Sequence, residues 1–233
     1  MDGPLSGLRI LDLTRILSGP FTTMMFADLG AEVIKIERPE GGDLSRGTAP
    51  FIQGESYYFI SVNRGKKSVT VDLSSPEGAQ VIKDLIPECD VIIENFVPGA
   101  MEKFGLNYES LSAINPRLIY CSISGFGQTG PYSNKPALDI IVQAMGGMMS
   151  ITGEPGGGPV RPGSSLGDLV AGLFAATGIL SAVYEREKSS KGQYIDLSML
   201  DCQVATLEAA VGRYYSTGDI PGPLGTRHPS FTP

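Results

Sequence analysis

Short apolar runs alternate with helix-like segments along most of this chain. Residues 8–13 (LRILDL) read as a buried strand. Gly19 and Pro20 follow, and Pro20 suits the first turn of a helix running through Met24, Met25 and Phe26 to about Leu29. Gly30 ends that helix, and residues 31–37 (AEVIKIE) predict a second strand, completing a βαβ unit with a parallel crossover. The rhythm then repeats. A strand is expected at 67–73, a helix opening at Ser75-Pro76-Glu77 and running through 81–86, and a strand at 90–94. A helix at 109–114 and a strand at 117–124 (RLIYCSIS) come next.

After Ser124 the texture changes. Gly and Pro dominate 125–136 and 153–163, with one amphipathic segment between them at 140–149. A long helix is expected over 167–188, a strand over 194–197 and a final helix over 200–215. Alternating strands and helices predict an α/β fold with a mostly parallel, Rossmann-like sheet and helices on both faces. Residues 1–217 read as one large domain. Residues 218–233, rich in turns, read as the start of a linker to a small domain, so the chain is expected to be truncated.

Composition narrows the chemistry. The 233 residues carry a net charge of −7, which argues against a broad nucleic-acid face. The N-terminus lacks the basic and apolar regions of a secretory signal, and the uncharged run 169–184 reads as a buried core helix rather than a membrane span. Three scattered cysteines, Cys89, Cys121 and Cys202, suit neither a disulfide framework nor a zinc site; no metal is expected, and the cytoplasm is the expected compartment. The single histidine, His228, excludes mechanisms needing a histidine pair.

Two glycine patterns invite chemistry that their surroundings do not support. Residues 125–130 (GFGQTG) satisfy G-x-G-x-x-G, but Pro131 and Pro136 block the helix on which a dinucleotide pyrophosphate would rest. Residues 163–167 (GSSLG) satisfy the nucleophile-elbow pattern around Ser165, yet the preceding EPGGGPVRPG cannot be a core strand. Asp168, at the entrance to the long apolar helix, is the third candidate. Helix capping by itself explains an aspartate there. Capping is the favoured reading on these grounds, yet a nucleophilic role is coherent: a carboxylate held ionised by a helix N-terminus needs no general base.

Taken in order, several segments resemble the family III (CaiB/BaiF) CoA-transferases. They are LRILDLTRILSGPFTTMMFADLGAEVIKIERPEGGD, SVNRGKKSVTVDLSSPEG, DVIIENFVPGAMEKFGL, NPRLIYCSISGFGQTGP, GSSLGDLVAGLFAATGIL and KGQYIDLSMLDCQVA. The resemblance implies the large domain of that fold, with Asp168 as the catalytic nucleophile. The reaction implied moves CoA from an acyl-CoA, such as succinyl-CoA, to a free carboxylic acid through a covalent aspartyl intermediate, with no permanently bound cofactor. Leu17, Ser18, Arg38, Lys66, Asn95, Phe96, Lys103 and Lys135 match positions that hold CoA in the family.

Lys103 stands where an arginine is common. Leu138 stands where racemase members carry a basic histidine, which disfavours racemisation, and Leu17 where formyl-transferring relatives carry glutamine. The wording is most like members that use small dicarboxylic acids. An interlocked homodimer is implied, with no nucleic-acid or membrane partner. The competing readings are a non-catalytic CoA-binding fragment and, less favoured, a hydrolase using Ser165 or an acyl-CoA racemase.

Overall fold

A computed structural model describes residues 3–231; the ends of the two segments drawn from the sequence, Met1, Asp2, Thr232 and Pro233, lie outside the described residues. Six strands form one parallel sheet: β1 (Arg9–Asp12), β2 (Glu32–Glu37), β5 (Lys67–Thr70), β6 (Val91–Glu94), β7 (Ile119–Ser124) and β8 (Tyr194–Ser198), in the spatial order β5-β2-β1-β6-β7-β8. A separate antiparallel hairpin joins β3 (Phe51–Ile52) to β4 (Glu55–Ser56).

The helices are α1 (Ser18–Asp28), α2 (Tyr57–Asn63), α3 (Pro76–Leu85), α4 (Ala100–Lys103), α5 (Tyr108–Ile114), α6 (Asp139–Met145), α7 (Met148–Ile151), α8 (Leu166–Ser189), α9 (Met199–Ala205) and α10 (Ala209–Thr217). Successive strand residues feed opposite faces. Ile10, Ile93 and Cys121 join Phe26 of α1 and Ala171, Ala175 and Ile179 of α8 in one core. Leu11, Ile92 and Tyr120 join Ala79 and Ile82 of α3 and Leu111 of α5 in the other. Burial on both faces is why the strands read as apolar runs rather than alternating ones.

The pairing of α1 with α8 sets the geometry of the site. A Cβ at Gly172 would sit 2.9 Å from Phe21 and 3.0 Å from the Ser18 carbonyl, so only glycine allows this approach. Thr22 Oγ1 donates to the Gly172 carbonyl across the contact at 3.1 Å. By length and composition α8 could cross a membrane. Here one face, including Gly167, Ala171, Ala175 and Ala182, packs into the core, and Arg186 anchors its far end to Asp90 at 2.9 Å. The opposite face leaves Leu173, Phe174 and Tyr184 exposed, so the helix is less buried than its apolar composition implies.

Three local expectations are corrected. The last helix is broken into α9 and α10, because Glu208 adopts φ 52° and cannot continue the turn. The strand at 67–73 stops at Thr70 and is an exposed edge. The segment 48–63, unassigned from the sequence, contains the hairpin and α2, whose cap is the Ser56 hydroxyl accepting from Phe59 N–H. Ser75 caps α3 where expected, accepting from Gly78 N–H at 2.9 Å. Past α10 the backbone N–H of Gly225 donates to Gly153 at 2.9 Å, laying the turn-rich tail against the 153–157 loop.

Candidate active site

In an open parallel sheet, ligands bind beyond the carboxyl ends of the strands where the winding order reverses. Here the reversal lies between β1, whose chain leads outward to β2, and β6, which leads the other way to β7. The two loops that part at that point, 13–17 and 95–98, form a cleft of about 370 Å3 with Gly125, Lys135, Leu138 and Asp168 in its remaining wall. Five predicted CoA residues, Leu17, Ser18, Asn95, Phe96 and Lys135, therefore share one cleft with Asp168.

A buried polar network fixes the first loop. Asp12, fully buried at the end of β1, accepts from Thr14 N–H at 2.9 Å and from Thr23 Oγ1 at 2.6 Å, and pairs with Lys66 at 3.0 Å. Lys35 pairs with Asp43 at 2.9 Å and donates to the Thr14 carbonyl at 2.8 Å. Ile16, a β-branched residue held at φ 68°, carries strain of about 1–3 kcal/mol. Its N–H donates to Asp43 Oδ1 at 3.1 Å, and its side chain is presented to the cleft.

Two of the predicted contact residues engage their polar groups within the protein. Lys66 turns inward and donates to Asp12, the Pro20 carbonyl and Asn63, so its ammonium does not face a phosphate. Burial holds that amine down at about 8 despite Asp12. Asn95 clamps the opposite loop, accepting from Arg15 N–H at 2.8 Å and donating to the Arg15 carbonyl at 2.9 Å. The result is an Arg15 guanidinium 4.1 Å above the Phe96 ring, a cleft cation that the sequence reading passed over. Burial, then the neighbouring Arg38, lowers its pKa from the usual guanidinium value. Arg38 itself is exposed and donates to Gly42 at 3.0 Å, and Lys103 is exposed at the end of α4; neither is in the cleft wall.

Asp168 lies in the first turn of α8, three residues past the cap position, so capping is not its role. That task falls to Asp139 at the start of α6, whose Oδ1 accepts from Gly167 N–H at 2.8 Å. Arg161 binds Asp139 Oδ2 at 2.8 Å and Ser165 Oγ at 3.0 Å, and Gln143 holds both Asp139 oxygens at 2.9 and 2.8 Å. The Asp168 carboxyl is pushed up to about 7, chiefly by burial and then by Asp139, with Arg161 opposing. Burial and the second carboxylate thus oppose the ionised form that a helix terminus favours. Spacing along the chain gives no sign of the Asp139–Asp168 pairing.

The alternative motifs lack the geometry their chemistry needs. No strand leads into Ser165 across residues 152–164, and His228 sits in the tail accepting backbone N–H groups of Ser230 and Phe231. No helix opens directly after Gly130, the next beginning only at Asp139; the GFGQTG turn is tied to β8 by Gln128 N–H donating to Asp196 at 3.1 Å, and its Gly125 borders the cleft. Among the described residues no cluster of metal-ligating side chains occurs. Burial pushes the thiols of Cys89 and Cys202 up to about 11, far from reactive thiolates.

Residues 5–233 match the profile of CoA-transferase family III. The chain is 48% identical over 231 residues to succinyl-CoA:glutarate CoA-transferase of Mus musculus, covering 99% of this chain and 53% of that protein. It is 48% identical over 232 residues to acetyl-CoA:oxalate CoA-transferase of Acetobacter aceti, covering 99% and 60%. The crystal structure of a CaiB/BaiF family protein from Brucella suis superposes with a TM-score of 0.95 at 43% identity, covering all of this chain and 63% of that one. The chain thus spans little more than half the length of the curated relatives it matches.

Proposed function

The chain belongs to CoA-transferase family III, and from that premise we propose that the intact protein moves CoA from a short acyl-CoA to a small dicarboxylate, with Asp168 as nucleophile. The observation that carries the reading is the position of Asp168: a half-buried carboxyl at a helix entrance, opening on the sheet's switch-point cleft beside Phe96 and Lys135. Starting from the ionised form of Asp168, the proposed steps balance without a further proton transfer. The Asp168 carboxylate adds to the thioester carbonyl, the C–S bond breaks, and a mixed anhydride and CoA thiolate result. The thiolate then attacks the aspartyl carbonyl, releasing the donor acid and leaving an aspartyl-CoA thioester. The acceptor carboxylate repeats the exchange in reverse. Overall one thioester is exchanged for another, so the net transfer is near-balanced, and a carboxylate nucleophile needs no histidine base.

Relatives named for glutarate, oxalate and mesaconate support a small dicarboxylate as acceptor, and succinyl-CoA as a donor to try first. Arg15 and Lys135 supply positive charge for the CoA phosphates or the second carboxylate, with Arg38 and Lys103 at a greater distance. A homodimer, a reducing cytoplasmic setting and a linker beginning at residue 218 complete the proposal; three buried free thiols are consistent with the setting. The test is mass spectrometry of the protein mixed with succinyl-CoA and hydroxylamine. A hydroxamate on Asp168 is expected, with transfer abolished in Asp168→Ala and retained in Ser165→Ala. An inactive Ser165→Ala beside an active Asp168→Ala would replace this reading with a serine hydrolase.

A further inference from the structure

Across the loop that follows β6 lies a second cavity, also of about 370 Å3. Val97 and Pro98 belong to the walls of both, yet the two are chemically opposed. The Asp168 cleft carries Arg15 and Lys135. The second cavity carries Glu94, Glu102 and Glu109 and, among the described residues, no lysine or arginine. Its other wall is aromatic. Tyr108 stacks on Tyr194 with centroids 5.4 Å apart and planes at 28°, and Tyr120 lies 5.6 Å from Tyr194.

The acid nearest the sheet is locked in place. Ser122 donates to Glu94 Oε1, Tyr194 donates to Ser122 at 3.2 Å, and Phe96 N–H donates to Glu94 Oε2 at 2.7 Å. We propose that this cavity binds a small organic cation, an alkylammonium or alkylguanidinium ion, against the tyrosine wall, with the exposed Glu102 and Glu109 as its direct partners and the buried Glu94 acting on it through space. The volume is that of a small-molecule site. Tyrosine faces attract cations through the ring quadrupole, and the carboxylates complement the charge. The same carboxylates repel phosphate, so the cavity is not an extension of the CoA cleft. Burial pushes the Glu94 carboxyl up to about 7. An entering cation supplies the neighbouring charge that burial denied, so Glu94 loses its proton to the buffer on binding near neutral pH.

The proposal stands independently of acyl transfer and is tested by isothermal titration of the intact protein with n-butylammonium and n-butylguanidinium, using n-butanol as the neutral control. Saturable one-site binding of both cations is expected, with proton release seen as a dependence of the heat on buffer ionisation enthalpy. Tyr194→Leu, which removes the central ring, should weaken binding about tenfold. Because Glu102 and Glu109 are exposed, the double variant Glu102→Gln/Glu109→Gln keeps the fold intact and should weaken it by a similar factor. Absence of saturable cation binding, equal binding of butanol, unchanged affinity in both variants, or displacement of the cation by CoA would each overturn the proposal.

Discussion

The ionisation of Asp168 gives a test that needs no substrate. Its carboxyl titrates at about 7 in the folded protein against an ordinary 3.8. A carboxyl with a raised folded pKa binds its proton more tightly in the native state than in the unfolded one. Stability therefore falls as pH rises from about 4 to about 7, and is unaffected by this group below that window. At 1.36 kcal/mol per pKa unit the whole displacement is worth about 4 kcal/mol, with about 2–3 kcal/mol of it lost between pH 5 and pH 8.

Asp168→Asn removes the titration and leaves the shape nearly unchanged. Its stability relative to the native sequence should improve by about 2 kcal/mol on going from pH 5 to pH 8, after an allowance for residual exposure. Urea denaturation at the two pH values measures this directly, because errors common to both cancel in the difference. A stability gap that stays constant within about 0.5 kcal/mol, or that widens against the variant at high pH, would refute the claim that this carboxyl is held above its ordinary range.

Three further outcomes follow from named contacts. Asp139→Asn keeps an oxygen for Gly167 N–H but removes a charge that raises the Asp168 pKa, so the acid limb of the kcat/KM profile should move to lower pH; an unmoved limb would leave burial as the sole cause. Lys66→Met strands the buried Asp12 carboxylate and should cost about 3–5 kcal/mol in a denaturant titration, whereas a surface phosphate contact would cost almost nothing. Asn95→Ala frees both sides of the Arg15 peptide and should raise KM for acyl-CoA about tenfold with a smaller change in kcat, measured by steady-state kinetics.

Local sequence was sufficient for most of the framework. The runs at 8–13, 90–94 and 117–124 had no other plausible destiny than buried parallel strands, because both of their faces are covered by helices. Ser75-Pro76 marked the start of α3, and the glycines and prolines of 125–136 kept that stretch from becoming a helix. The break between α9 and α10 was not legible, because it rests on the single positive φ of Glu208 within a segment of ordinary helix formers. The exposure of Leu173 and Tyr184 was equally hidden, since composition records how apolar a helix is and not which neighbours cover it.

The same division runs through the site. Sequence alone determined that an aspartate opens the long helix, that glycine-rich turns surround it, and that histidine chemistry is nearly excluded. Only the tertiary structure decided the electrostatics. Asp139 and Asp168 stand on different helices, and their proximity is made by the packing of α6 against the start of α8. Lys66 looked like a ligand cation until the fold buried it against Asp12, and Arg15 became a cleft cation because Asn95, on another loop, holds its backbone. Residue identity sets which charges a chain carries. Desolvation and long-range neighbours set what those charges do, and both arise only once the sheet has brought distant segments together.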